Sequence, residues 1–112
     1  MKLAELAREL NAEVLHAGRA FEQAEVRSVV ASDLMSDVLL VDRPAPLIVT
    51  ALASDQVIRT ADIVGAIGVL IVNGKNLPVN MRTLAAETGI TLLRTSLPKF
   101  EACLRLGRAL DY

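Results

Sequence analysis

The sequence predicts an α/β fold: a single three-layer domain spanning residues 1–112, with a largely parallel sheet and a βαβαβ core. Three observations carry this. A chain of 112 residues has the usual length of one domain and can bury one core without staples. From Leu47 onward, short apolar runs alternate with helix-patterned segments. Those runs are continuous rather than alternating, as in strands covered on both faces by crossover helices. An apolar content of 53% with two Phe, one Tyr and no Trp makes the core aliphatic and argues against disorder.

Leu3, Leu6, Ala7 and Leu10 recur at i, i+3, i+4 and i+7 and predict an amphipathic helix over Lys2–Leu10, with Asn11 as its stop. Glu13–Ala17 reads as a short strand, Gly18-Arg19 as a turn, and Arg27–Ala31 as a second strand. A short helix is expected over Leu34–Leu39, with Ser32 or Asp33 as its cap. Pro44 and Pro46 break the chain before the βαβαβ unit, which comprises Leu47–Ala51, Asp55–Val64, Ile67–Val72, Val79–Thr88 and Ile90–Arg94. Ser54 suits the cap of the helix from Asp55, and Gly89 suits a left-handed C′ position. Ser96 and Pro98 open a last helix, expected to bury Phe100, Cys103, Leu104 and Gly107 and to end near Leu110.

Composition also narrows function. The longest apolar runs, such as Ala66–Val72, are too short for the ~20 residues of a membrane helix, and Met1–Leu10 carries charges throughout, so a cytoplasmic protein is expected. Twelve basic and thirteen acidic residues leave a formal charge of −1, with no basic face for nucleic acid. One Cys (Cys103) and one His (His16) cannot build a disulfide framework or a Cys/His metal cage. No metal and no cofactor is expected. A Cys–His catalytic pair would need an accessible, ionisable thiol, and Cys103 among aliphatic residues has the opposite tendency. The expected protein is not an enzyme.

The polar residues worth weighing cluster at predicted strand ends. Ser32, Asp33, Ser36 and Asp37 follow the second strand; they suit either a cation or ribose site, or a capped helix start. Thr50, Ser54 and Asp55 sit at a strand-to-helix turn where free N–H groups favour an anion, although helix capping explains the same residues and no Gly-rich phosphate loop is present. Asn73-Gly74-Lys75-Asn76 closes the central strand at its C-terminal end, and Asn-Gly is also simply a good turn. If Thr50, Ser54 and Asn73 converge with the Ser32–Asp37 segment as a wall, the pocket lies at the C-terminal edge of the parallel strands. The apolar excess and small net charge further suggest a homodimer or higher homo-oligomer.

The opening MKLAELARELNAEVL, the segment VVASDLMSDVL at Val29–Leu39, LIVTA at Leu47–Ala51, GVLIVNG at Gly68–Gly74 and GITLLRTSLPKFEA at Gly89–Ala102 together resemble the stand-alone DRTGG-domain proteins. More distantly, the chain is similar to the N-terminal domain of HPr kinase/phosphorylase and the regulatory domain of some phosphotransacetylases. The literal Asp-Arg-Thr-Gly-Gly string is absent, and Ala53-Ser54-Asp55-Gln56 stands at the corresponding turn. The resemblance implies a regulatory or binding module that often self-associates, and the preferred expectation is a non-catalytic one that senses a small cytosolic anion or nucleotide. The alternative it implies is an accessory or regulatory protein of an iron hydrogenase system, with a protein partner; a small enzyme of unknown reaction is the remaining alternative.

Overall fold

The computed structural model describes all of residues 1–112. In chain order the elements are α1 (Leu3–Glu9), β1 (Glu13–His16), β2 (Val29–Ala31), α2 (Met35–Leu39), β3 (Leu47–Thr50), α3 (Asp55–Val64), β4 (Gly68–Ile71), α4 (Val79–Thr88), β5 (Leu92–Arg94) and α5 (Lys99–Ala109). The five strands form one sheet in the order β1-β5-β4-β3-β2. Strands β2 to β5 are mutually parallel, and β1 lies antiparallel on β5 with an irregularity between Val14 and His16. The expected βαβαβ unit is therefore β3-α3-β4-α4-β5, three adjacent parallel strands.

Side-chain alternation along the strands explains why the sheet needs cover on both faces. Leu47, Val49, Leu70 and Leu93 point to one side, where they pack with Leu3, Leu6 and Leu10 from the α1 segment and Ala102 and Leu106 of α5. Ile48, Val69, Ile71 and Leu92 point to the other, against Met35, Val38, Val57, Ile58, Ala61, Met81 and Ala85 of α2, α3 and α4. A strand whose odd and even residues are both buried reads as a continuous apolar run, which is the pattern seen in the sequence. Helix ends also follow local chemistry. The Ser54 hydroxyl caps α3 by accepting from Gln56 N–H at 3.2 Å, and Gly65 and Gly89 close α3 and α4 in left-handed conformation, with φ of 67° and 76°.

Three expectations need correction. The strands are shorter than expected: β1 stops at His16, β2 begins only at Val29, and β5 begins at Leu92. Single backbone bonds still reach Ser28, from Leu47 N–H, and Thr91, from Val69 N–H, but the paired ladder does not extend over Arg27 or Ile90. Neither Ser32 nor Asp33 caps α2, whose N-cap is Leu34 with no side-chain bond. The third correction concerns α5. Phe100 is 75% exposed and Leu104 40%, while Ala102 and Leu106 are buried. Two apolar stripes run along this helix, and the one containing Ala102 faces the sheet because its small side chain permits close approach. The Phe100–Leu104 stripe is left outside.

Candidate functional site

The parallel strands all end at the same edge, and the ladder continues one residue past them. Ser32 N–H donates to the Val49 carbonyl, Val72 N–H to Thr50, and Thr95 N–H to Ile71. This brings Ser32-Asp33, Thr50-Ala51, Asn73-Gly74 and Thr95-Ser96 into a row along the C-terminal edge. Thr50, Asn73 and the segment after β2 therefore lie along one edge of the sheet.

At one end of this row Asp33 is the centre of a network. Its Oδ1 accepts from Thr50 Oγ1 at 3.0 Å and from Ala51 N–H at 2.8 Å, and its Oδ2 pairs with Lys99 Nζ. The fully buried Thr50 hydroxyl also accepts from Leu52 N–H at 3.1 Å, so it is satisfied. Lys99 N–H donates in turn to Asn73 Oδ1 at 3.0 Å, which ties the start of α5 to the end of β4. Asn73 and Gly74 adopt φ of 67° and 61°, a turn conformation that Asn and Gly tolerate.

The Lys99 ammonium, with the Ala51 N–H and the Thr50 hydroxyl, holds the Asp33 carboxyl below its ordinary value against an opposing push from burial. A depressed carboxyl pKa stabilises the fold above the unfolded-state value and loses that contribution as pH falls through the folded one. Because the Asp33 side chain is 49% exposed, solvent screening limits the Lys99 pairing to about 1 kcal/mol or less. The urea midpoint of wild type should therefore exceed that of Asp33→Asn at pH 7, and the gap should shrink as pH falls below the ordinary carboxylate range. A gap independent of pH would contradict the ion-pair assignment.

The other expected residues are placed as follows. Ser32 Oγ accepts from Leu34 N–H at 3.1 Å in a local turn. Ser36 and Asp37 are exposed on α2 and take no part in the Asp33 network. Ser54 caps α3, and Asp55 pairs with Arg59 one turn along at 3.6 Å. His16 Nδ1 is engaged with the Ile90 carbonyl at 2.9 Å on the β1 edge, while Cys103 lines a groove with Val29 and Ala31 at the β2 edge. The sheet's width separates them. Burial pushes the Cys103 thiol pKa up, and the Lys99 charge offsets part of that. No group of three His, Cys, Asp or Glu side chains is arranged to hold a metal ion.

Further along the same edge lies a cleft of about 300 Å³ lined by Asn11, Glu13, Gly74, Asn76, Arg94 and Ser96, with no hydrophobic residue. Arg94 crosses from β5 to pair with Glu13 of β1 at 2.7 Å, and its Nη1 also donates to the Lys75 carbonyl at 3.4 Å. The cleft sits beside the point where the chain changes faces: α4, following β4, packs on one side of the sheet, and α5, following β5, packs on the other. Such switch points leave a crevice outside the strand ends where α/β proteins bind ligands. Of its lining, the sequence marked as a candidate only Gly74 and Asn76, in the turn Asn73-Gly74-Lys75-Asn76. Glu13 and Arg94 lie 81 residues apart, and nothing local in either segment marks their meeting.

No protein-family model and no curated protein matches the sequence. Among solved structures, the CBS and DRTGG domains of the regulatory region of Clostridium perfringens pyrophosphatase, crystallised with the activator diadenosine tetraphosphate, superpose with a TM-score of 0.74 at 15% identity. The match covers 99% of this chain and 49% of that one, so the chain spans about half the length of that regulatory region. The fold is that of a DRTGG-like α/β domain, in agreement with the resemblance read from the sequence. No helix is long and apolar enough to cross a membrane.

Proposed function

We propose that this chain is a non-catalytic regulatory module that binds a small anion or nucleotide at the C-terminal edge of its parallel strands and associates with a second copy of itself. The observation that carries the ligand reading is the convergence of four strand-end loops on one polar edge, with a cleft where α4 and α5 part. The DRTGG-like fold supports it, since a neighbour of that fold is a regulatory region solved with a nucleotide activator. A non-catalytic role is favoured by the separate placement of His16 and Cys103 and by the raised thiol pKa, which leave no activated nucleophile.

Self-association rests on the outward stripe of α5. Phe100 and Leu104 are exposed beside a groove of about 280 Å³ lined by Val29, Ala31, Cys103, Leu106, Gly107 and Tyr112. That groove borders β2, which is an unpaired sheet edge. An edge strand beside an apolar helix face can meet its own copy across a two-fold axis, satisfying the strand and covering the helix together.

A thermal-shift panel of diadenosine tetraphosphate, mononucleotides, acyl phosphates and divalent cations tests the ligand reading. A compound present at about a hundred times its dissociation constant adds about 2.7 kcal/mol, which raises the melting temperature of a chain this size by about 10 °C or more. The Asp33→Asn, Asp37→Asn double variant should keep or enlarge an anion's shift and abolish a cation's. If no compound moves the transition, the ligand reading fails.

A further inference from the structure

We infer that the cleft lined by Asn11, Glu13, Gly74, Asn76, Arg94 and Ser96 is a phosphoryl-binding subsite, with Arg94 as the anchor and Glu13 as a built-in competitor for it. The inference rests on the reading of the chain as a ligand-binding module and names the site and the group it takes.

Arg94 is the only cationic side chain in the lining. It is two-thirds covered, with 33% of its side chain exposed, so its head group is held at the cleft rather than free in solvent. A guanidinium offers five N–H donors in a planar fork. Here Glu13 Oε1 takes one donor at 2.7 Å and the Lys75 carbonyl a longer one at 3.4 Å. The fork is oriented but not saturated.

The remaining lining is neutral and rich in donors. The side chains of Asn11, Asn76 and Ser96 come from three different loops and form no hydrogen bond within the chain, leaving two carboxamides and a hydroxyl for a ligand. Donors approaching from several directions suit the tetrahedral oxygens of a phosphoryl group better than a planar carboxylate, which the arginine fork alone can satisfy. Gly74 turns the chain at the cleft with a φ of 61°, a conformation strained for any side chain, and lies in contact range of Ser96 on the neighbouring loop. The size is at the lower limit of small-molecule sites, roughly 300–1,000 Å³.

Glu13 gives the site a sign that can be measured. Its side chain is 56% exposed, and exposed ion pairs are weak enough for a bound anion to replace one partner. Removing the carboxylate should therefore help a phosphoryl group, while removing the guanidinium should weaken its binding. A salt bridge with a purely structural role would show no such opposition.

The test is a titration of inorganic phosphate into the ¹⁵N-labelled full chain, following backbone amides. In wild type, saturable shifts are expected at Gly74, Lys75, Asn76 and Ser96. Arg94→Gln should weaken the apparent affinity by about tenfold or more, the worth of a charge-assisted bond pair. Glu13→Gln should strengthen it by about two- to fivefold, the worth of an exposed ion pair. Sodium acetate at equal concentration should bind more weakly. Shifts centred on Ala51–Asp55, equal affinities in the two variants, or equal binding of acetate would each overturn the assignment. Absence of any phosphate response would also overturn it, whereas a compound from the thermal-shift panel that still stabilised the protein would leave the regulatory reading standing.

Discussion

Ile71→Asp is expected to give a chain with no cooperative thermal transition by circular dichroism. Ile71 is fully buried on β4, the middle strand of the sheet, where it packs with Val57, Ile58, Met81 and Ala85 of α3 and α4. The substitution removes an aliphatic side chain whose truncation alone costs about 2–5 kcal/mol. It also places a carboxylate among groups that offer it no partner, and the price is paid either as desolvation or as a forced protonation. Against a total stability of roughly 5–15 kcal/mol, the two losses together remove most or all of the folded population. Ile71→Val is the control, expected to fold with a loss of about 0.5–1.5 kcal/mol. A cooperative melt for Ile71→Asp close to that of wild type would contradict the placement of β4 at the centre of the core.

The second large effect is expected in assembly rather than folding. Wild type should sediment as a dimer at micromolar concentration, and Phe100→Glu with Leu104→Glu should sediment as a monomer that retains its circular dichroism spectrum. Both residues lie one turn apart on α5 and outside the core, so charge there leaves the sheet packing intact. At an interface centre, aromatic and large apolar anchors each carry roughly 2 kcal/mol. Their joint loss, with like charges brought face to face across the two-fold axis, should weaken dimerisation by about a hundredfold or more. A monomeric wild type, or a double variant that remains dimeric, would refute the α5 and β2 surface as the interface.

The contrast between these two sites shows what the sequence makes legible. The core strands are readable because burial on both faces leaves an unbroken apolar run, and Leu47–Thr50 and Gly68–Ile71 are such runs. Ser54 and Gly89 are readable because capping depends on neighbours one to three residues away. The phase of α5 is different. Its sequence supports one stripe through Phe100, Cys103, Leu104 and Gly107 and another through Ala102, Leu106 and Ala109, and the choice depends on how closely the helix approaches a sheet built from distant segments. The same limit governs the candidate site. Asp33, Thr50 and Asn73 stand out as polar groups at strand ends, but Lys99, which joins Asp33 to Asn73, follows Asp33 by 66 residues. Arg94 and Glu13 meet only because β1 docks antiparallel on β5, a pairing that no local pattern specifies.

Amide hydrogen exchange, run with and without each compound of the thermal-shift panel, tests most directly whether this is a ligand-binding module that works at the C-terminal edge of its sheet. At least one compound should slow exchange at Gly74–Leu77 and Ser96–Lys99, the loops after β4 and β5, and should be recovered chemically unchanged. Exchange unaltered by every compound, protection confined to Ala66–Ile67 and Gly89–Ile90 at the opposite end of the strands, or conversion of the bound compound would contradict the account.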